Sequence, residues 1–327
     1  MIGVAFYVWL HGITSSIGFI TNIFLIFLAV TKSPPGMKVY SIMVINFGVS
    51  DLMTCAMDFI TKDRLIPSKD ALIIISHGTC VHGGPRWCWV SHAVLIASIS
   101  HSMFSLALSF IYRYKIVRGL EPSRNRVLAT VFLLFLPSMI GAICFYRSYD
   151  DPLVLYSIAR NLSKEYIYEQ SVITGISEFI SLSSTVALNM LFLPLIPVNI
   201  IVFVMHKKIK LFLLSVKGNM SKETVAIHNQ LLTALAWQSF LPIVHIAGIC
   251  FWLLGITKLV RSTGLEFLTM ILPHFVPVMS PIIYIYYITP YRSYTLSLIR
   301  CKPCCKKTVI SDLPIVINGF HSSKVMT

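Results

Sequence analysis

The stretch VYSIMVINFGVSDLMTCAMDFI, residues 39–60, carries two carboxylates in an otherwise apolar run. Asp51 lies about midway, and Asp58 lies two turns further along the same helical face. Polar groups in hydrocarbon are costly, so each needs a role or a partner. Asp51 can serve as an ion or proton site, as part of a water network that tunes helix packing, or as a neutral hydrogen-bonded acid. No second carboxylate or nucleophile stands near it by local spacing, so a structural or switching network outranks catalysis. Asp58 faces an outer cavity or reaches towards headgroups. His92, His101, His245 and His274 fall in similar apolar runs, but no H-E-x-x-H zinc signature accompanies them, and hydrogen-bonded interhelical imidazoles are the plainer reading. His274 stands out because Pro273, Pro277 and Pro281 flank it. Arg113 closes the run HAVLIASISHSMFSLALSFIY, where an arginine can snorkel to the bilayer surface.

The elements that must position these residues follow from composition. Of 327 residues 56% are apolar and only 12% charged, roughly half the charged share of a soluble domain. Lipid is therefore the main solvent. Seven stretches reach the ~20 apolar residues a spanning helix needs, at about 7–30, 38–60, 88–112, 127–146, 178–205, 230–255 and 266–288. A short amphipathic segment at 290–300 follows, and 301–327 is a tail. The expected fold is an all-α membrane protein, a seven-transmembrane helix bundle over residues 1–300. The first run is too long for a signal-peptide core and has no cleavage-site pattern, so it is read as a retained helix.

Charge sets the orientation. Eighteen of the 27 Lys and Arg fall in the connections after helices one, three and five and in the tail. That set should be cytoplasmic, with the N-terminus outside and the C-terminus inside. The net charge of +14 then describes an inner face beside anionic lipid, not nucleic-acid binding. Asn161 opens a glycosylation sequon in the longest outer loop, whereas Asn219 opens one on the inner side that should stay unmodified.

The eight cysteines form no metal pattern. Cys80 and Cys88 sit in HGTCVHGGPRWCWV at the outer, oxidising end of helix three; a local disulfide and two free thiols are the two readings. Cys301, Cys304 and Cys305 lie among lysines just past the last helix, which suits reversible palmitoylation, with unmodified thiols as the alternative. Prolines recur inside helices four to seven, among them Pro137, Pro194, Pro242 and Pro281, and each offers a bend.

These spaced positions resemble the rhodopsin-like G-protein-coupled receptors. Helix one has Asn22, helix two has Asn46 and Asp51 in NFGVSDL, and helix three runs from Cys88 to the triplet Tyr112-Arg113-Tyr114. Helix six has Phe240-Leu241-Pro242, and helix seven has Ser280-Pro281-Ile282-Ile283-Tyr284 followed by Tyr291-Arg292. The strings MKVYSIMVINFGVSDL, HSMFSLALSFIYRY, HNQLLTALAWQSFLP and SPIIYIYYITPYR are similar to the nematode chemosensory serpentine receptors, best the class delta group, Srd, with the Str-type groups as near neighbours. The resemblance covers about 270 residues.

It implies a sensory receptor for a small environmental chemical or pheromone, in the plasma membrane of sensory cilia, acting on a heterotrimeric G protein without a cofactor. Asp51, Arg113, Tyr114, Pro242 and Tyr284 would form the switch. Leu95 and Ile99 share the helix-three face of Arg113. With Phe240, Val244, Met270 and His274 they would line an apolar ligand pocket that has one polar handle. Three departures stand out: Tyr112 replaces the usual acid before the arginine, Ser280 replaces the usual Asn, and the loop between helices four and five has no Cys. Cys80 would substitute as partner of Cys88, and Glu223 would substitute as the acid that restrains Arg113. A transporter or ligand-gated channel is the alternative, but no inverted repeat is visible. An enzyme is not expected, because no nucleophile and base share a local motif.

Overall fold

The computed structural model describes residues 2–34, 37–69, 71–120, 122–162, 171–178, 181–216, 222–257 and 262–300, with the backbone alone at 2, 191, 216, 222–232, 235 and 242. In chain order it forms α1 (Ile2–Thr31), α2 (Lys38–Thr61), β1 (Asp63–Pro67), β2 (Leu72–Ser76), a 3-10 turn (Thr79–Gly83), α3 (Pro85–Val117), α4 (Arg124–Arg147) and α5 (Pro152–Leu162). These are followed by β3 (Val172–Ile176), α6 (Leu182–Phe192), α7 (Leu195–Val216), α8 (Lys222–Ile256), α9 (Thr263–Tyr287) and α10 (Thr289–Ile299). Seven spans among the described residues are long and apolar enough to cross a membrane: α1, α2, α3, α4, the α6–α7 pair, α8 and α9. Large apolar side chains such as Trp9, Phe132, Phe203 and Trp237 point out of the bundle, as expected where lipid is the solvent. α3 is the most buried span and packs on α2, α4 and α7, while α9 packs on α1 and α8.

Helix ends follow local chemistry. Ser181 and Ser262 cap α6 and α9 by accepting from Ser184 N (3.1 Å) and Leu265 N (3.2 Å). Glu266 adds a negative charge to the first turn of α9. α2 ends at Lys62, whose left-handed backbone (φ 47°) turns the chain into β1.

Four differences from the sequence-based expectation have physical causes. Helix five is two helices that meet at Leu193-Pro194, because Pro194 has no N–H to continue the ladder, and the second extends to Val216 instead of 205. Helix three runs from Pro85 to Val117 and helix six starts at Lys222, each longer than its apolar run because polar turns extend it. Third, α5 occupies part of the loop expected to be irregular. Fourth, an antiparallel sheet of order β1-β2-β3 covers one end of the bundle, with Leu65 opposite Ile74 and Ile74 opposite Thr174.

The sheet is apolar on both faces. Leu65, Leu72, Ile74 and Ile176 pack with Trp89 of α3 and Phe145 of α4, while Ile66, Ile73, Ile75 and Ile173 pack with Leu155 and Ala159 of α5. Here α5 lays one stripe on the sheet, and the sheet lies on the helices.

α9 tolerates three internal prolines because neighbours replace what they remove. Pro281 has no N–H for the carbonyl of Pro277, and Asn22 Nδ2 of α1 donates to that oxygen instead (2.8 Å). Gly248 lets α8 approach closely, since a Cβ there would lie 2.9 Å from both Pro273 Cδ and Thr269 O.

Candidate functional site

Three regions gather the residues with chemistry, one under the sheet, one midway along the bundle and one at the far end of α3. Under the sheet, Asp58 is fully buried. Its carboxylate accepts from His11 Nδ1 of α1 (3.0 Å) and from the Ser15 hydroxyl, and His274 Nε2 of α9 lies 3.3 Å away. One carboxylate thus joins three helices. The His274 Nδ1 side bonds the carbonyl of Met270, one turn back, which fixes the ring. Two further pairs tie the sheet down. Arg64 of β1 meets Glu266 of α9 at 2.5 Å, with both side chains buried, and Asp63 of β1 lies 3.0 Å from His92 of α3. Ser76 of β2 donates to Asp63 (3.0 Å). Buried charges persist only when paired, so these contacts anchor the sheet and the tops of α3 and α9. His77, just after β2, is pushed down to about 4 by burial and by the nearby Arg64, so it is neutral at physiological pH. No group of three or more His, Cys, Asp or Glu among the described residues is arranged to hold a metal ion.

Cys80 and Cys88 are joined by a disulfide (S–S 2.08 Å) beside this layer. Gly84, with φ +83°, makes the turn between them.

Midway along the bundle, Ser102 of α3 donates to the buried Asp51 of α2 (2.9 Å). Asn46 donates to Ser105 (2.7 Å) and accepts from His101 Nε2 (2.9 Å). Asp51 and Asn46 therefore both tie α2 to α3.

At the far end, Arg113 is buried (8% exposed) and does not snorkel. Its guanidinium carbon lies 3.7 Å from the ring centroid of Tyr40 on α2. Tyr40 stacks on Tyr112 (6.4 Å, 21°), and Tyr284 packs on Phe47 (6.2 Å). Tyr40, Tyr112, Tyr284 and Tyr291 belong to one buried cluster. Tyr291 of α10 shares a 2.7 Å hydrogen bond with Ser33, and burial pushes its phenol up to about 12. Tyr114 is half-buried under Arg118 and Lys208.

The expected pocket residues separate. Leu95 and His274 are buried, and Ile99, Val244 and Met270 are half-buried. Phe240 is 59% exposed and points out of the bundle, so it is removed from the pocket. The reason is helical phase: Ala234, Gln238 and His245 mark the inward face of α8, and Phe240 lies about 200° around from Gln238 at ~100° per residue. Pro242 lies within α8, and Glu223 lies in its first turn with a side chain outside the described residues, as are Cys301, Cys304 and Cys305. Asn161 is exposed near the end of α5, and the rest of its sequon falls outside the described residues.

Sequence reasoning missed His11, Ser15, Asp63, Arg64, Glu266 and Tyr40. His11 carried a readable signal, as a histidine inside an apolar run. Ser15 lies mid-helix, where a small hydroxyl bonds its own backbone and draws no notice, and the others lie near helix ends or in the connection after α2, where polar residues are ordinary.

The description "Serpentine type 7TM GPCR chemoreceptor Srd" fits residues 7–297 of the chain. Serpentine receptor class delta-18 of Caenorhabditis elegans is 33% identical over 292 residues, covering 88% of this chain and 86% of the relative. Serpentine receptor class delta-19 of the same nematode is 30% identical over 299 residues, covering 90% and 88%. Among solved structures, squid rhodopsin superposes with a TM-score of 0.61 at 15% identity, over 93% of this chain and 83% of that one, a likeness of fold. Family and fold point to a receptor and not an enzyme, and to an integral multi-pass membrane protein. The chain belongs to the Srd family of serpentine seven-transmembrane G-protein-coupled chemoreceptors.

Proposed function

We propose that the receptor takes a small, mostly apolar ligand beneath the sheet, with His274 as the polar contact, and passes the event to a heterotrimeric G protein at the Arg113 end. The sheet end faces outside and the tail faces the cytoplasm, in keeping with the excess of Lys and Arg around the Arg113 end. The plasma membrane of sensory cilia is the expected location. The observation that carries this reading is His274. It sits on the proline-rich α9, beside the carboxylate that joins α1 and α2, and Met270 one turn away packs against the apolar cluster that holds Leu65, Ile74 and Trp89. A ligand that takes hold of His274 changes the tie between α9 and Asp58, and so has different affinity for the two arrangements of α9. The inner half of α8, bending at Pro242, is the moving part. Its swing opens a cleft beside Arg113, Tyr114 and Tyr284.

The test is a chemical library screened through a promiscuous G protein, with hits repeated on His274→Phe at matched surface expression. Loss of response in that variant is expected. An unchanged response removes His274 from the site.

A further inference from the structure

We infer that Tyr40 is the positioning residue that restrains Arg113, holding the guanidinium on its ring face where the residue before the arginine is a tyrosine and not an acid. The inference rests on the G-protein reading above and adds the residue that sets its resting state. Position 112 is Tyr, so the residue before Arg113 has no charge to offer. The ion pairs seen among the described residues involve His11, Arg64, His92 and His274, all under the sheet. At the other end the guanidinium stands 3.7 Å from the Tyr40 centroid, the shortest cation–ring approach among the described residues. Both side chains are buried, the condition in which a ring face attracts a cation most strongly. A planar guanidinium is also well suited to lie on a ring.

Tyr112 takes part indirectly. It stacks on Tyr40 at 21°, so the residue that replaces the acid braces the ring that holds the arginine. The contact joins α2 to α3. α2 is tied to α1 and α9 through Asp58 and to α3 through Asn46, and so is a fixed reference against which α8 moves. A cation on a ring face has no counter-charge to strand when it leaves, so Arg113 can slide off Tyr40 into an opening cleft without exposing a buried anion.

Tyr40→Leu, Tyr40→Phe and Tyr40→Trp test this in the purified full-length receptor. The Arg113 guanidinium resonance, assigned with Arg113→Lys, should show the upfield shift of a group over a ring in the wild type, in Phe and in Trp, and lose it in Leu. Basal nucleotide exchange on a G protein should rise several-fold in Leu and stay at or below the wild-type rate in Phe and Trp. A role in packing volume alone would disturb Trp as much as Leu. If Leu does not reach the membrane, Phe and Trp decide on the same readouts. Raised exchange in Trp, an unshifted wild-type resonance, or, where the wild type shows measurable exchange, an equal rate in Leu overturns the assignment. If exchange is absent from every form while the resonances behave as expected, the contact stands and the G-protein reading falls.

Discussion

The two ends of the bundle keep charged groups away from water by different chemistry. Under the sheet, carboxylates meet imidazoles and a guanidinium: Asp58 with His11 and His274, Asp63 with His92, and Glu266 with Arg64. At the far end, Arg113 meets the face of Tyr40 within a cluster of tyrosines. Buried ion pairs are directional, and loss of one partner leaves an uncompensated charge. A ring face is softer and tolerates sliding. On the proposed reading, the sheet end holds its helices in register and the Arg113 end lets α8 go.

The sharpest way to break this contrast is Asp58→Asn. It removes the one carboxylate shared by two imidazoles and should cost about 5 kcal/mol. Thermal unfolding of the purified receptor should show the largest loss here, and Tyr40→Phe should show almost none. A small loss at Asp58 would mean that the two ends do not differ in stiffness. Glu266→Gln removes the carboxylate opposite Arg64 at the edge of the sheet and should cost about 3 kcal/mol, with faster hydrogen exchange over Asp63–Ser76.

Between the two ends, Asn22→Leu takes the donor from the carbonyl of Pro277, a loss of ~1–3 kcal/mol read as a lower unfolding temperature. It should also loosen α9 midway, where the stiff and soft regions meet.

Acid gives the smallest effect. His77 is held near 4, below the ~6.5 of an exposed imidazole. Between those values the unfolded chain binds more protons than the folded one, so stability rises with pH through this window and is lost as pH falls through it. Protection factors in β1 and β2, with the intrinsic exchange rate at each pH divided out, should fall from pH 6.5 towards pH 4, and those of the amides around Tyr40 should be unaffected by this group. His77→Phe should flatten that pH dependence.

Much of the fold was legible because spanning helices are long apolar runs, and about 20 such residues in a row rarely mean anything else. The spaced residues Asn22, Asp51, Arg113 and Pro281 were legible for the same reason, since a polar group or proline stands out against hydrocarbon. The sheet was not. Its strands are five residues each and buried on both faces, so they carry no alternation, and β2 pairs with β3 about a hundred residues away. Phe240 was misplaced because α8 is apolar nearly all round, and nothing in such a run marks which side faces the bundle.

Composition and spacing alone determined seven apolar spans, the basic bias of alternate connections and the family pattern, because each depends only on residue type and order along the chain. Tertiary structure alone decided which partner each charge meets. His11, Asp58 and His274 lie on three helices, and Arg64 and Glu266 stand 202 positions apart, so only packing brings them within reach of one another. The same holds for Arg113. Its neighbour in sequence offers no charge, and the ring that holds it comes from α2.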